Sequence, residues 1–238
     1  MGGALAEYNC YRASGPITLD GKLDEPSWQL ADDTGCFVLY SGEADEQKST
    51  NARMVWDDRF LYVAFECKDT DIYATFTERD DPLYSQDVVE LFVENKASTE
   101  GHYFEYEFSP TGVLFDLYLT APFKGDKTFS SKNLAAGAQI VGTLNDPSDE
   151  DTGYTVEVAI PFEDIYQKAG ARPGNGEPMR LNLYRIDYST PKELGKPGEN
   201  ARFLTWSPTT KINFHMPQRF GTVKFIEKPV GTAEAPAR

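Results

Sequence analysis

Short runs of β-branched and aromatic residues, separated by clusters of turn-forming residues, recur along most of this 238-residue chain. Several runs alternate apolar and polar residues, which is the period of a half-buried β-strand. Leu61, Val63 and Phe65 share one face of such a run, and the turn-forming segment 57–59 precedes it. The pattern predicts about ten strands, at 52–56, 60–67, 87–94, 102–108, 113–119, 139–144, 154–160, 180–188, 203–206 and 222–226.

The close, turn-bounded spacing of these runs predicts an all-β fold and is typical of a β-sandwich or a β-barrel. Of these two we expect an antiparallel β-sandwich of immunoglobulin-like architecture. Helical signals are limited to short turns near 25–28 and 161–169. No repeat or change in composition divides the chain. We therefore expect an N-terminal extension at 1–14, one sandwich domain at 15–227 and a disordered tail at 228–238, which is rich in Pro, Ala and Gly.

Three predicted loops, at 71–86, 121–136 and 189–217, are longer than ordinary connections between strands. Long loops in a compact domain are commonly functional. We therefore expect the binding residues of this protein to lie on or beside these loops.

The charge of the chain limits its partners. The formal net charge is −15 at pH 7, and such a surface repels both nucleic acid and anionic membranes. No apolar run approaches the length of about 20 residues that spans a bilayer. Neutral or cationic partners and bound cations remain compatible with this charge.

Cysteine usage leaves the cellular compartment open. Cys10, Cys36 and Cys67 form no C-x-x-C pair, and no His/Cys spacing indicates a zinc site. The first residues lack the regions of a signal peptide, so we expect a cytoplasmic protein, or a secreted or periplasmic one whose signal peptide has been trimmed. Cys10 and Cys36 can pair in the second case, whereas Cys67 ends an apolar run and is predicted to be a buried thiol.

Four acidic residues on two successive predicted strands form the first candidate site. Asp87 and Glu90 lie on one strand, and Glu105 and Glu107 share a face of the next. Such a cluster can bind ligand hydroxyls, hold Ca²⁺ or act as an acid/base pair in glycoside hydrolysis. The alternative is a solvated sheet face with Arg79, Arg180 or Arg185 as ion partners.

A second acidic segment forms the predicted hairpin tip at 145–151. Asp146, Asp149 and Asp151 offer oxygen ligands for Ca²⁺, although the spacing departs from that of an EF-hand. A charged turn with no metal is the alternative. No motif of a serine hydrolase, zinc protease, P-loop or dinucleotide fold is present.

Several ordered segments carry a resemblance to a known family. ITLDGKLDEPSW, ARMVWDDRFLYVAFE, YSQDVVELFVE and WSPTTKINFHMPQRFGTVKF resemble family 9 carbohydrate-binding modules and, more closely, family 9-like proteins of bacteria. The resemblance covers about 15–227 and implies a β-sandwich related to DOMON domains. It also implies an oligosaccharide or polysaccharide ligand, a catalytic domain or enzyme as partner, and calcium as a cofactor.

The resemblance also implies particular site residues. The two sugar-stacking tryptophans of the characterised modules fall on Tyr84 and Phe214, and a family carboxylate falls on Glu90. A family arginine falls near Glu105, which replaces a pure hydrogen-bond donor with an acceptor. The loop around Phe214 adds Asn213 and His215.

We therefore predict a non-catalytic carbohydrate-binding protein with an aromatic clamp at one end of the sandwich. The predicted ligand-binding residues are Tyr84, Phe214, Glu90, Glu105, Arg79, Arg185, Asn213 and His215. One alternative is a glycan hydrolase or lyase that uses the four acidic residues with His215. Another is a haem-binding DOMON module with His215 or Met216 as an axial ligand.

Overall fold

The structure is a computed structural model that describes residues 3–45, 49–188 and 201–232. Strands dominate it, and the helices are the short α1 (Pro26–Leu30) and α2 (Phe162–Ile165) with isolated 3-10 turns. The strands are β1 (Glu7–Arg12), β2 (Val38–Leu39), β3 (Thr50–Trp56), β4 (Phe60–Lys68), β5 (Val88–Glu94), β6 (Tyr103–Phe108), β7 (Leu114–Ala121), β8 (Lys124–Asp126), β9 (Ala135–Val141), β10 (Gly153–Pro161), β11 (Pro178–Tyr188), β12 (Ala201–Thr205) and β13 (Gly221–Pro229).

The strands form one continuous hydrogen-bonded ladder in the order β8, β7, β6, β5, β11, β13, β1, β3, β4, β10, β9. β12 pairs with β11, and β2 pairs with β12. Val89 and Leu91 from one half of the ladder belong to the same apolar core as Val63 and Phe65 from the other half. The ladder therefore folds over on itself as the two layers of a β-sandwich, which confirms the predicted fold class.

The N-terminal strand departs from the predicted antiparallel arrangement. β1 lies between β13 and β3 and pairs with both in parallel. Its Tyr8 and Cys10 side chains are buried in the core, so part of the predicted extension 1–14 belongs to the sheet. Six residues with only two buried side chains give a weak signal, because such a run does not stand out from a polar segment.

The C-terminal end is also longer than predicted. β13 continues through Lys228 and Pro229, the first two residues of the predicted tail. Val230 is buried in an apolar cluster with Trp28, and its amide donates to the carbonyl of Arg12 at 2.8 Å. Residues 233–238 of that tail, and residues 189–200 of the predicted loop 189–217, lie outside the described residues.

The cysteines do not form the disulfide that the sequence left open. Cys10 is buried in the core, Cys36 is exposed, and both thiols are free. Cys67 is buried, as its apolar surroundings predict, and that burial raises its pKa to about 11. Among the described residues, no helix is long and apolar enough to cross a membrane.

Alternation along β5, β6 and β7 gives their sheet two different faces. Val89, Leu91 and Val93 point into the core between the layers. Val88 and Phe92 point to the opposite face and join a second apolar cluster outside the sandwich core. This outer face carries the candidate site, whereas the sequence predicted a site at one end of the sandwich.

Candidate functional site

A cavity of about 730 Å³ opens on the outer face of the sheet formed by β7, β6, β5 and β11. Its volume lies within the range of ordinary small-ligand pockets. The floor consists of strand side chains, and the walls come from 80–84, 123–127 and 212–215. The floor residues are Glu90, Phe92, Glu105, Glu107, Phe115, Leu117, Leu119, Ile186 and Phe203.

Strand register brings three glutamates together on this floor. Glu90 of β5 lies directly opposite Glu107 of β6. Glu105 precedes Glu107 by two residues, so both point to the same face. All three side chains are buried, and Glu107 is fully inaccessible.

Burial changes the protonation of these carboxyl groups. Loss of solvent raises the pKa of Glu105 to about 7. Burial, reinforced by the charge of Glu105, raises the pKa of Glu90 well above its usual range. Burial and the proximity of Glu90 and Glu105 do the same for Glu107. The floor carboxyl groups therefore keep their protons to higher pH than exposed glutamates do. A carboxyl group accepts hydrogen bonds in both forms and also donates one when it is protonated.

Exposed apolar side chains surround the cavity. Tyr84 is 50% exposed, Phe123 is 72% exposed and Ile212 is 58% exposed. These three line the cavity, and they account for most of the large apolar side chains that the described residues expose. Apolar surface gathered at one cavity is typical of a ligand-binding site.

The loop at 213–215 forms one wall of the cavity. The ring of Phe214 stacks on that of Tyr184, with centroids 4.0 Å apart and planes at 14°. Asn213 Oδ1 accepts a hydrogen bond from the His215 amide at 2.9 Å. Only 7% of Phe214 is exposed, so it can offer a ligand less surface than Tyr84.

His215 links this wall to the floor. Its Nδ1 shares a hydrogen bond of 2.9 Å with the hydroxyl of Tyr103, and its ring lies 4.2 Å from that of Phe123. Burial lowers the pKa of His215 to about 4. The imidazole is therefore neutral at pH 7 and contributes no cation to the cavity.

Six of the eight predicted ligand-binding residues line this cavity together, namely Tyr84, Glu90, Glu105, Asn213, Phe214 and His215. The two arginines do not. Arg79 donates to Asp116 Oδ2 at 2.8 Å and to the carbonyl of Ser131 at 3.1 Å. It therefore holds a loop against β7 instead of facing a ligand.

Arg185 points away from the cavity because successive residues of a strand face opposite sides of the sheet. Its neighbour Tyr184 lies opposite Glu90 and faces the outer side, so Arg185 faces inward. The guanidinium is fully buried and lies 2.6 Å from Asp69 Oδ2 and 3.1 Å from Asp187 Oδ1. The prediction that Arg185 binds ligand is wrong for this geometric reason.

Asp87 is separated from the other three members of the predicted acidic cluster. It lies on the inward face, where its carboxylate accepts hydrogen bonds from the amides of Tyr73 at 2.7 Å and Tyr188 at 2.8 Å. Of its four acidic residues, the hydrolase or lyase alternative therefore keeps Glu90, Glu105 and Glu107 in one cavity, together with His215.

The predicted calcium ligands do not converge. Asp151 is buried and accepts hydrogen bonds from the amides of Ile72 and Thr143. Asp146 accepts from the amide and hydroxyl of Ser148, two residues further along the turn. Asp149 is exposed in the same turn. These carboxylates stabilise the loop, so the prediction of a three-aspartate site at the hairpin tip is wrong.

A different acidic group has the spacing of metal ligands. Carboxylate oxygens of Asp69, Asp87 and Asp187 lie within 4.8 Å of one another, in the interior of the sandwich. Arg185 binds two of the three. Its guanidinium already supplies positive charge there, which is the role that a cation would have.

Sequence reasoning missed Phe123 and the hairpin that carries it. β7 and β8 pair through Ala121 and Lys124, within the segment predicted to be a loop at 121–136. Phe123 adopts a left-handed backbone conformation with φ of 62° in this tight turn. An isolated aromatic residue in a turn has no periodic signal, so only the fold brings it to the cavity.

Comparison with known proteins supports a relationship across most of the chain. A family model described as "Carbohydrate family 9 binding domain-like" matches residues 19–228. Endo-1,4-beta-xylanase A of Thermotoga maritima is 22% identical over 213 residues. These residues are 90% of this chain but only 17% of that enzyme.

Two solved structures share the fold. A protein from Bacteroides uniformis aligns with a TM-score of 0.69 and 17% identity, covering 93% of this chain and 100% of that one. A family 9 carbohydrate-binding module from Caldicellulosiruptor kristjanssonii, solved with cellotriose, aligns with a TM-score of 0.62 and 18% identity. That alignment covers 97% of this chain and 99% of the module.

Proposed function

We propose that this chain, which belongs to the carbohydrate family 9 binding domain-like family, is a non-catalytic module that binds a saccharide in the cavity above Glu90, Glu105 and Glu107. The observation that supports this most strongly is the combination of an exposed aromatic rim with a buried polar floor. A sugar ring presents C–H groups on its faces and hydroxyls at its edge. The cavity offers a complementary surface to each.

In this proposal Tyr84 is the main stacking surface. Half of its side chain is exposed at the rim, and a large, rigid aromatic face gives contact area at low entropic cost. Phe214 forms the second, more buried part of the aromatic clamp, and Phe123 adds an exposed ring on the side of His215.

The floor residues would form hydrogen bonds with the hydroxyl groups of the sugar. Glu90 and Glu105 can accept hydrogen bonds from hydroxyls, and each can also donate one when it is protonated. Asn213 adds an amide that both donates and accepts. His215 is neutral at pH 7, so one of its ring nitrogens donates and the other accepts.

A relative supports a setting for the module. Since the chain corresponds to 17% of the length of a xylanase, we propose that it acts beside a catalytic domain or a separate glycan-active enzyme. The ligand would then be an oligosaccharide or a polysaccharide. Such a role places the protein outside the cytoplasm, where it meets polymeric glycan.

Tyr84→Ala tests the stacking surface. We expect the affinity for cellotriose, measured by isothermal titration calorimetry, to fall about ten-fold because the exposed ring no longer packs on the sugar. Val141→Ala is the matched control, since Val141 is another exposed apolar residue and does not line the cavity. We expect this control to bind as the unaltered protein does.

Two results would contradict the proposal. One is that glucose, cellotriose and xylotriose all fail to bind. The other is that cellotriose binds equally well to Tyr84→Ala. If cellotriose is instead cleaved, and Glu90→Gln stops the cleavage, the cavity belongs to a glycan hydrolase and the non-catalytic assignment is overturned.

A further inference from the structure

The three glutamates on the cavity floor differ from the other buried carboxylates of this protein. Glu157 accepts hydrogen bonds from Trp28 Nε1 and from the amides of Asp20 and Gly21. Asp116 and Asp151, like Asp69 and Asp187, also have the protein partners described above. The fold therefore supplies partners to acidic groups that it buries for structural reasons.

Glu107 has no partner that supplies positive charge. Both of its carboxyl oxygens are buried and make no hydrogen bond of good geometry with the described residues, and the groups that interact with them are the carboxyl group of Glu105 and the backbone of Tyr84. Within the described ranges of the chain, no Lys, Arg or His lies within ion-pair distance of Glu90, Glu105 or Glu107. A fully buried carboxyl group without a partner of opposite charge is costly to the folded protein, which indicates that a ligand supplies that charge.

The other charged and titratable groups at the cavity do not neutralise the floor. Lys127 and Asp80 line the wall and carry one charge of each sign. His215 is neutral at pH 7, and burial raises the pKa values of Tyr103 and Tyr184 above their usual range. The floor is therefore a concentration of acidic groups inside a chain that already carries a net charge of −15.

The spacing of the glutamates argues against a bare metal ion. Among the described residues, a group of three such side chains with ligand atoms all within 4.8 Å of one another occurs at Asp69, Asp87 and Asp187, on the other face of the sheet, and not at the three floor glutamates. The floor glutamates are therefore spread more widely than a metal coordination shell. A larger organic cation fits this arrangement better, and the aromatic rings at the rim can stabilise its charge through cation–π contacts.

We propose that the cavity selects saccharides that carry an amino group, with the ammonium over Glu107 and Glu90 and the sugar ring against Tyr84. The ligand class is a glucosamine-containing oligosaccharide such as a deacetylated chitin fragment. The inference rests on the proposed function, because it assigns a ligand class to the same cavity. An ammonium is a pure donor of three hydrogen bonds, and it supplies the charged partner that the protein does not give to Glu107.

The test compares two β-1,4-linked trimers of equal length in isothermal titration calorimetry at pH 6.5 and 150 mM NaCl. The glucosamine trimer carries an ammonium on each ring, whereas cellotriose carries a hydroxyl at the same position. We expect the glucosamine trimer to bind at least about ten-fold more tightly, as for hydrogen bonds to a charged group. We expect Glu107→Gln and Glu90→Gln each to remove most of this preference, so that the ratio of the two affinities falls toward one whatever happens to the affinity for cellotriose.

Glu150→Gln is the control for net charge, since it removes one acidic group in the exposed turn at 145–151. Its preference for the glucosamine trimer should equal that of the unaltered protein. The inference is overturned if the two trimers bind equally, or if the preference survives in both cavity variants, which would indicate non-specific attraction to an acidic surface. In either case cellotriose binding would leave the proposed function standing, whereas failure of both trimers to bind would overturn the function as well.

Discussion

Arg185→Met is expected to lower the free energy of unfolding by about 3–5 kcal/mol, which is the usual cost of removing one partner from a buried ion pair. The guanidinium is fully buried between Asp69 and Asp187, and it also donates to Thr50 and to the carbonyl of Lys68. Methionine fills similar space but leaves two buried carboxylates without this cation. A loss of this size is a large fraction of the stability of an ordinary domain.

Urea denaturation followed by tryptophan fluorescence measures this change, and Arg79→Met is the matched control. Arg79 also binds a buried carboxylate, but a third of its side chain is exposed, so we expect a loss of only about 1 kcal/mol. If Arg185→Met left the free energy of unfolding unchanged but abolished binding of cellotriose, Arg185 would be a ligand-binding residue. That outcome would contradict the inward orientation described above.

Glu105→Gln is expected to change the free energy of unfolding more favourably at pH 8 than at pH 4, by about 3 kcal/mol. Each pKa unit of difference between the folded and unfolded chain corresponds to about 1.4 kcal/mol. Burial raises the pKa of Glu105 to about 7 from an ordinary value of 4.5. Below pH 4.5 this carboxyl group is protonated in both the folded and the unfolded chain. As the pH rises from 4.5 through 7, the unfolded chain loses its proton first, so the unaltered protein loses stability over this window.

Glutamine has no proton to lose, so the variant should not share this loss. The free energy of unfolding of both proteins at pH 4, 6 and 8 measures the difference, and Glu150→Gln at the exposed turn is the control, for which we expect no such pH dependence. Equal pH profiles for Glu105→Gln and the unaltered protein would show that Glu105 is not a desolvated acid. The glutamate floor would then be a solvated surface.

Much of the fold is predictable from local pattern. The hairpin of β3 and β4 follows from an alternating run on each side of 57–59, and Asp57 Oδ1 accepts hydrogen bonds from the amides of Arg59 and Phe60 in that turn. The sequence predicts this strand at 139–144, whereas β9 begins at Ala135 and ends at Val141. Its sequence, AAGAQIV, is poor in β-branched and aromatic residues, so its first residues give little strand signal. Position 137 of this strand requires glycine, because the backbone of Leu19 leaves no room there for a Cβ atom.

Some residues of the candidate site could be predicted from the sequence, but the side of the sheet that each residue faces could not. Tyr84, Glu90 and Phe214 could be identified through resemblance to a family, and the structure brings them to one cavity. Alternation places successive residues on opposite faces, but it does not say which face is outside. Arg185 was therefore assigned to the ligand, although its neighbour Tyr184 is the residue on the cavity side.

The central claim is that a saccharide binds in the cavity on the outer face of the β7–β6–β5–β11 sheet. A crystal structure of this chain soaked with cellotriose tests it most directly. We expect a glucose ring against Tyr84, with its hydroxyls within hydrogen-bond distance of Glu90 or Glu105. Electron density for the sugar at another surface, with this cavity filled only by water, would contradict the account.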